Sequence, residues 1–181
     1  MIRAIIGPPK GGKSAYAEEL LKQSPGPHAY IACLPNNARY QARIAEHRSR
    51  RPESWHLCEL SGDPDIDLAE AMHVCTNSQS TLFDGLSFYL LRLFYSGRAA
   101  TDWRNPFSLF IRCLAMTSRL VLVVDAPAPP VSSAAFYHSI IDAHQLLYRQ
   151  SQTIAMITGG QCWPLTALAA IQLDLKARPI I

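Results

Sequence analysis

The sequence predicts an α/β fold in which a mostly parallel β-sheet is covered by helices on both faces. Short apolar runs rich in isoleucine and valine alternate with longer segments that have the length of helices. Apolar runs of this kind are typical of strands buried on both faces of a parallel sheet. A repeated strand–helix alternation is typical of parallel α/β domains. The chain has 181 residues, which predicts one domain spanning residues 1–181.

The predicted elements follow from these runs. Five strands are predicted at Arg3–Ile6, His28–Cys33, Thr81–Asp84, Leu120–Val124 and Thr153–Thr158. Six helices are predicted at Lys13–Gln23, Ala38–Arg48, Asp65–Asn77, Leu86–Gly97, Asn105–Ser118 and Ala134–Gln150. No strand is predicted just before the fifth helix, so one crossover is expected to hold two helices. Ala126–Ser133 is predicted to be a rigid proline-rich loop, and Leu165–Leu175 is compatible with either a helix or a strand.

Composition excludes several classes of protein. Hydrophobic residues make up 49% of the chain and charged residues 17%, which argues against a disordered tail. The net charge of +3 fits a phosphorylated small-molecule ligand and does not by itself indicate nucleic acid. No apolar run approaches the roughly 18 residues of a membrane span. Five scattered cysteines without a C-x-x-C pair indicate buried apolar side chains in a reducing cytoplasm rather than disulfides or a zinc site.

A phosphate-binding loop is predicted directly after the first strand. Residues Gly7 to Ser14 read Gly-Pro-Pro-Lys-Gly-Gly-Lys-Ser and fit the pattern G-x-x-x-x-G-K-[ST]. The N–H groups of such a turn, with the helix that follows, form a binding site for anions. Pro8 and Pro9 lack this donor, so the cradle is expected at residues 10–14. The nucleotide-binding candidates here are Gly7, Lys10, Gly11, Gly12, Lys13 and Ser14, with Lys13 on the outer phosphates and Ser14 on Mg²⁺.

A second acidic group near the metal is expected at the end of a neighbouring strand. Asp84 ends the run Thr-Leu-Phe-Asp, and Asp125 ends the run Leu-Val-Leu-Val-Val-Asp. A strand-terminal aspartate is also a common turn or helix cap. Either carboxylate is therefore a candidate metal ligand on the pattern alone.

A basic stripe is predicted on the second helix. Arg39, Arg43 and His47 recur at a spacing of four, which keeps them on one side of a helix. One interpretation is a solvated basic face. The other is a cluster that holds phosphates beside an imidazole, whose neutral form the arginines would favour by lowering its pKa. A neutral imidazole can attack phosphorus and form a covalent intermediate. The remaining histidines (His28, His56, His73, His138 and His144) lack metal-ligand spacing and are interpreted as structural or surface residues, and Trp55 as a core residue.

Several sequence motifs follow one another in a defined order along the chain. They are the phosphate loop, Tyr30-Ile31-Ala32, Arg43-Ile44-x-x-His47-x-x-x-Arg51-Pro52-x-x-Trp55 with Glu59, Leu82-Phe83-Asp84-Gly85-Leu86-Ser87, Leu120–Val124, Ala143-His144-Gln145-x-Leu147 and Ile154–Gly160. From Met1 to about Gly160, the chain resembles the bifunctional adenosylcobinamide kinase / adenosylcobinamide-phosphate guanylyltransferase family of cobalamin biosynthesis. The string around His47 is the most selective part of this resemblance.

The resemblance implies a RecA-like P-loop fold, a trimeric assembly and two reactions. A nucleoside triphosphate, ATP or GTP, phosphorylates the aminopropanol arm of adenosylcobinamide, and GTP then transfers GMP to that phosphate through a guanylylated histidine. The matching histidine is His47. The resemblance further implies Mg²⁺ on Ser14 and Asp84, and it places Arg51 and Asp84 among the nucleotide-binding residues. The implied partners are nucleotide and corrinoid small molecules.

This sequence also departs from the family pattern. Asn36-Asn37-Ala38-Arg39 stands where the family usually has acidic residues, Asp125-Ala126-Pro127-Ala128 where it has Asn-Glu-Val-Gly, and Ser151-Gln152 where it has Ala-Asp. Two alternatives follow from these lost carboxylates and from the proline-rich loop. One is a divergent P-loop protein that binds nucleotide with little or no catalysis, and the other is a small-molecule kinase with a different substrate.

Overall fold

A computed structural model describes residues 1–34, 38–61, 63–95, 104–125, 134–166, 169–170 and 172. The strands are β1 (Ile2–Gly7), β2 (His28–Ala32), β3 (His56–Glu59), β4 (Ser80–Asp84), β5 (Arg119–Asp125), β6 (Thr153–Thr158) and β7 (Gln161–Leu165). The helices are α1 (Lys13–Lys22), α2 (Gln41–Arg50), α3 (Pro64–Thr76), α4 (Leu86–Tyr95), α5 (Arg104–Thr117) and α6 (Ala134–Gln150). Within these ranges no helix is long and apolar enough to cross a membrane.

The strands form one sheet in the order β3-β2-β4-β5-β1-β6-β7. Strands β1 to β6 run parallel, and β7 pairs with β6 in the antiparallel direction. The register aligns Gly7 with Asp125 and Ala32 with Asp84. The carboxyl ends of β1, β2, β4 and β5 therefore lie along one edge of the sheet. In open α/β sheets, ligands bind outside the carboxyl ends of the strands.

Side chains of the central strands alternate between two apolar clusters, one on each face of the sheet. On one face Ile5, Leu82 and Val123 pack with Ala17 and Leu21 of α1. On the other face, the strand residues pack with the buried sides of α3 to α6. Trp55 is buried in the first cluster, where its ring packs 6.4 Å from that of Tyr30, which confirms it as a core residue.

The predicted α/β architecture with a mostly parallel sheet is confirmed, and the five predicted strands and six predicted helices are present with their described ends shifted by up to three residues. The predicted end of the fourth helix, Gly97, lies outside the described residues. Two helices, α4 and α5, occupy the crossover between β4 and β5, as expected. The loop Ala126–Ser133 lies outside the described residues, as does most of Leu165–Leu175. Cys33, Cys58 and Cys75 are buried as predicted and Cys113 is half-buried, but the prediction of burial is wrong for Cys162, which is exposed on the edge strand β7.

Two strands were not predicted, and both lie at the edges of the sheet. Strand β3 has four residues, of which only Cys58 is buried, so it lacks the apolar run that marks the inner strands. Strand β7 contains Pro164, which cannot donate a ladder hydrogen bond and is tolerated at a sheet edge. Gly159 and Gly160 join β6 to β7 with φ values of 55° and 74°, which suits a tight hairpin turn.

Candidate functional site: a phosphate loop facing a buried histidine

The segment between β1 and α1 forms a tight loop. The N–H of Gly11 donates to the carbonyl of Pro8 at 3.1 Å, and Gly12 precedes the helix with a left-handed φ of 88°. Lys10 also adopts a positive φ of 59°. Successive N–H groups in such a turn, together with the N-terminus of α1, present donors and positive dipole to an anion. The loop thus has the form that the sequence motif predicts.

The close approach of β6 at the start of the loop requires a glycine at position 7. A Cβ atom added there would lie 2.2 Å from the carbonyl oxygen of Ile157 on β6. No side chain fits at that distance, so the glycine lets β1 turn into the loop beside β6. Gly7 therefore shapes the loop, and it is not among the residues lining the adjoining cavity.

Lys13 is buried and held by two oxygen atoms. Its ammonium group donates to the carbonyl of Pro8 at 2.6 Å and lies 2.7 Å from Oδ1 of Asp125. Asp125 ends β5 opposite Gly7, so the sheet register brings it to the loop. This carboxylate compensates the charge of the buried lysine. The structure thus brings one of the two strand-terminal aspartates into contact with the loop.

A cavity of about 420 Å³ opens between the phosphate loop and α2. We call it the phosphate cavity. Its lining residues are Lys10, Gly11, Gly12, Lys13, Ser14, Ala15, Arg43, Glu46, His47 and Arg50. Five of the predicted loop residues and the predicted histidine therefore line the same cavity, the loop on one side and His47 of α2 on the other. Arg43 belongs to the predicted basic stripe, and it lines this cavity without a carboxylate partner in the described part of the chain.

His47 is buried, and its Nδ1 atom faces four polar groups. The nearest is the Tyr30 hydroxyl at 3.1 Å, followed by Glu18 Oε1 at 3.3 Å. Asp84 Oδ2 and an Arg50 guanidinium nitrogen both lie at 3.4 Å. Within the described residues, every polar contact of the ring goes through Nδ1. The nitrogen that remains without a protein partner is Nε2.

Glu18 is the least expected member of this cluster. It is 1% exposed on α1, and its second oxygen accepts from Nε of Arg50 at 2.8 Å. Burial raises the pKa of Glu18, but hydrogen bonds from His47 and Arg50 outweigh that effect and leave the pKa below its usual value. Glu18 is therefore an ionised carboxylate that connects α1 to α2. Sequence reasoning missed it, although a glutamate between Ala17 and Leu21, on a face expected to be apolar, was a usable signal.

Asp84 is tied to the histidine through Tyr30. The Tyr30 hydroxyl donates to Asp84 Oδ2 at 2.6 Å. Burial and the neighbouring Asp84 charge raise the pKa of Tyr30 well above its usual value, so the phenol keeps its proton. Asp84 lines a smaller cavity that shares His47 with the phosphate cavity. The sequence singles out Tyr30 only as part of a family string, because its contact with Asp84 depends on a strand pairing that spacing does not reveal.

Arg51 lies on the other side of α2 from the phosphate cavity. Its Nε donates to the carbonyl of His47 at 3.0 Å, near the end of the helix, and its guanidinium stacks 4.2 Å from the Tyr30 ring centre. It lines the smaller cavity and is absent from the lining of the phosphate cavity. The structure therefore does not bring this predicted residue to the loop, and Arg43 and Arg50 occupy that position instead.

Ser14 and Asp84 both carry oxygens of the kind that binds Mg²⁺, but they line different cavities, and no cluster of three metal-ligating side chains occurs among the described residues. Mg²⁺ in nucleotide sites is usually held by one or two protein oxygens together with substrate phosphates. The hydroxyl-bearing Ser14 lines the phosphate cavity. In the described chain, the side-chain contacts of Asp84 all go through Oδ2, which leaves Oδ1 available.

A parallel sheet, a glycine-rich phosphate loop at the end of β1 and a helix that begins at its Lys-Ser pair define a P-loop nucleotide-binding protein. The solved structures similar to this chain include ATPases of type III secretion systems. An ATPase from the type III secretion system of pathogenic bacteria superposes with a TM-score of 0.59 at 13% identity, covering 87% of this chain and 51% of that one. The chain thus spans about half the length of that protein.

Two archaeal structures agree on the fold. The flagellar accessory protein FlaH from Methanocaldococcus jannaschii has a TM-score of 0.53 at 13% identity, covering 94% of this chain and 80% of that one. A KaiC-like protein from Pyrococcus horikoshii has the same TM-score and identity, covering 86% of this chain and 69% of that one. At this identity the likeness shows the fold alone.

The family is shown by a match of the sequence itself. The model of the cobinamide kinase / cobinamide phosphate guanyltransferase family matches residues 4–163. The chain therefore belongs to this family of enzymes, which has kinase and guanyltransferase activities in cobalamin biosynthesis. No curated protein matches the chain at a significant level.

Proposed function

We propose that one domain, residues 1–181, phosphorylates the aminopropanol arm of adenosylcobinamide and then transfers GMP from GTP to that phosphate through a GMP–His47 intermediate. The observation that carries this proposal is that the phosphate loop and His47 line the same cavity from facing sides. His47 lines the same cavity as Lys13 and Ser14, and its Nε2 has no protein partner in the described chain. A nucleophile and a phosphate cradle are thereby held together, which is the main requirement of nucleotidyl transfer.

The binding roles follow from the same geometry. The N–H groups of residues 10–14 and the ammonium of Lys13 would hold the phosphates, with Lys13 exchanging its contact with Asp125 for phosphate oxygens. Arg50 lines this cavity, and Arg51, given a nucleotide-binding role by the resemblance, lines the adjoining one. Ser14 and Asp84 would hold Mg²⁺, which neutralises phosphate charge when it is bound.

Family membership also supports proposals about the cellular location and the oligomeric state of the protein. A cobalamin-biosynthesis enzyme that takes nucleotide and corrinoid substrates is expected in the cytoplasm. A homotrimer is proposed on the family resemblance, and sedimentation equilibrium of the purified chain tests it.

The guanylyl step is tested by intact-protein mass spectrometry. The protein is incubated with Mg²⁺ and GTP, and we expect a mass increase of one GMP through an acid-labile, base-stable bond. His47→Ala is expected to bind GTP without gaining mass, whereas His73→Ala, which removes an exposed histidine of α3, is expected to be labelled like the wild type. Label that persists in His47→Ala contradicts the assignment.

The kinase step needs its own measurement. With ATP or GTP and cobinamide, we expect phosphorylated cobinamide by mass spectrometry, and loss of this product in Lys13→Ala. A wild-type protein that binds GTP but forms neither product supports the non-catalytic alternative. Phosphorylation of another small molecule in clear preference to cobinamide supports the alternative kinase.

A further inference from the structure

We propose that Glu18 is a positioning residue for His47: its buried carboxylate holds the proton of the imidazole on Nδ1 and so keeps the lone pair of Nε2 available for attack on phosphorus. This inference rests on the proposed function, in which His47 carries GMP. It assigns a role to a side chain outside the phosphate loop and outside the string around the histidine.

The geometry gives Glu18 two separate partners. Oε1 lies 3.3 Å from Nδ1 of His47, and Oε2 accepts from Nε of Arg50 at 2.8 Å. The carboxylate is 1% exposed, so water does not compete for these contacts. Because Lys13 and Ser14 begin the helix that carries Glu18, the same rigid element sets the phosphate cradle and the orientation of the histidine.

The atoms around Nδ1 favour a proton on that nitrogen. Tyr30 directs its own hydrogen to Asp84, so its oxygen faces Nδ1 as an acceptor. The Glu18 and Asp84 oxygens are acceptors as well, at 3.3 and 3.4 Å. The one donor, the Arg50 guanidinium, lies at 3.4 Å from Nδ1 and is engaged by Glu18. Three acceptors therefore face Nδ1–H, and the second nitrogen of a neutral imidazole then carries the lone pair.

The bonds that form and break during GMP transfer are consistent with a proton on Nδ1. The Nε2 lone pair forms a bond to the α-phosphorus of GTP while the bond from that phosphorus to the bridging oxygen breaks, and pyrophosphate leaves with the electron pair. The ring gains positive character and keeps its Nδ1 proton, which is hydrogen-bonded to the cluster containing Glu18. A phosphate oxygen of the acceptor then attacks the same phosphorus, and the N–P electron pair returns to Nε2.

A glutamine at position 18 cannot serve both partners. A carboxylate offers an acceptor oxygen to His47 and another to Arg50, whereas an amide has one acceptor oxygen and one NH₂ donor. The guanidinium donates only, so it retains the oxygen and turns the NH₂ towards Nδ1. That arrangement favours the Nε2–H tautomer, in which the attacking lone pair is lost.

The experiment compares wild type, Glu18→Gln and Glu19→Gln. Glu19 is the neighbouring glutamate of α1, is exposed and pairs with Lys22, so it is a matched control. Nitrogen NMR of ¹⁵N-histidine-labelled protein reports the His47 tautomer without any reaction. A time course of intact mass with saturating GTP and Mg²⁺ gives the rate of GMP–enzyme formation, and α,β-methylene-GTP, which cannot transfer GMP, gives nucleotide affinity.

We expect Nδ1–H in the wild type and in Glu19→Gln, and a shift towards Nε2–H in Glu18→Gln. The rate of adduct formation in Glu18→Gln should fall by about 30-fold or more, within the range of proton-positioning effects, while analogue affinity changes by less than about threefold. An unchanged tautomer and rate in Glu18→Gln overturns the proposal. A lower affinity for the analogue in Glu18→Gln, with no change in tautomer or rate, also overturns the proposal, because it indicates a structural role for Glu18.

Two further outcomes of the experiment also have a defined meaning. If the wild type forms no GMP adduct, the proposed function fails, and the tautomer measurement still decides whether Glu18 holds Nδ1–H. If Glu18→Gln does not fold, Glu18→Asp takes its place, with a carboxylate one methylene farther from the ring. A measurable drop in the adduct rate of this variant supports the proposal, and a wild-type rate overturns it.

Discussion

Tyr30 and Asp84 are joined by a hydrogen bond of 2.6 Å between neighbouring strands, directly behind the ring of His47. Both side chains are buried. A hydrogen bond to a buried carboxylate is worth more than one between neutral groups, because losing it leaves a charge without compensation. The pair thus supports the fold and the histidine at the same time.

Tyr30→Phe tests that pair. We expect the free energy of unfolding to fall by about 1.5–3 kcal/mol, since Asp84 loses its strongest donor while the aromatic ring and its packing remain. Urea denaturation measures the change. Tyr16→Phe is the control, because the half-buried Tyr16 hydroxyl contacts only the Cys162 thiol at 3.3 Å in the described chain. Equal stabilities for the two variants would contradict the expectation.

Arg43→Ala tests the electrostatics of the phosphate cavity. Arg43 has no carboxylate partner among the described residues, whereas Lys13 and Arg50 are both paired, so its charge is available to phosphates. We expect GTP affinity to fall by about tenfold or more, as for loss of a charge-assisted contact. Isothermal titration measures it. Arg119→Ala removes the same charge at the opposite end of the sheet and should leave affinity unchanged. Equal effects in both variants would mean that net charge alone matters.

Gly7→Ala tests the close contact at the start of the loop. The added methyl would lie 2.2 Å from the Ile157 carbonyl, so β1 and β6 must separate or the loop must shift. We expect a loss of stability of about 1–3 kcal/mol, accompanied by weaker GTP binding. Thermal unfolding and titration measure the two effects. Gly159→Ala has a φ of 55° and nothing within 4 Å of the new methyl, so it isolates the backbone cost and should spare GTP binding.

The burial of His144 leads us to expect that the folded protein loses stability in acid. It is completely buried on α6, and burial lowers its pKa to about 4, with a smaller opposing effect of Asp125. The unfolded chain takes up the proton near pH 6.5, whereas the folded chain resists it down to about pH 4. Stability from this group is therefore present above pH 6.5 and decreases as pH falls towards 4, by about 1.4 kcal/mol per pH unit.

The measurement for His144 is urea denaturation at several pH values. The wild type is expected to lose more stability between pH 6.5 and 4.5 than His144→Gln, which cannot titrate. His73→Gln, at an exposed position on α3, should follow the wild type. Parallel profiles for wild type and His144→Gln would show that this histidine does not contribute.

Much of the fold was predictable because the inner strands are buried on both faces. The runs ending at Asp84 and Asp125 are continuous apolar segments, and their ends lie where phosphate chemistry requires polar groups. The edge strands were not predictable in the same way. Strand β3 buries one residue of four, so burial leaves little periodic signal in its sequence.

The site residues that belong to a local sequence motif could be predicted. The residues that only the folding of the sheet and helices brings together were missed. Lys13 and Ser14 follow from spacing, and His47 from a string of neighbouring residues. Glu18 and Tyr30 reach the ring from α1 and β2, and their contacts depend on how α2 packs over the sheet edge. The resemblance places Arg51 with the nucleotide, whereas in the structure Arg51 follows the end of α2 with an extended backbone and stacks on Tyr30.

The chain carries a single phosphate loop, and the histidine faces the cavity that this loop opens. On the proposed function, the donor of the first reaction and the GTP of the second must occupy the same space in turn. One protomer cannot overlap the two reactions in time. Its throughput is then set by the sum of the two cycle times rather than by the slower of them, and, where ATP is the first donor, an excess of either nucleotide delays the step that needs the other.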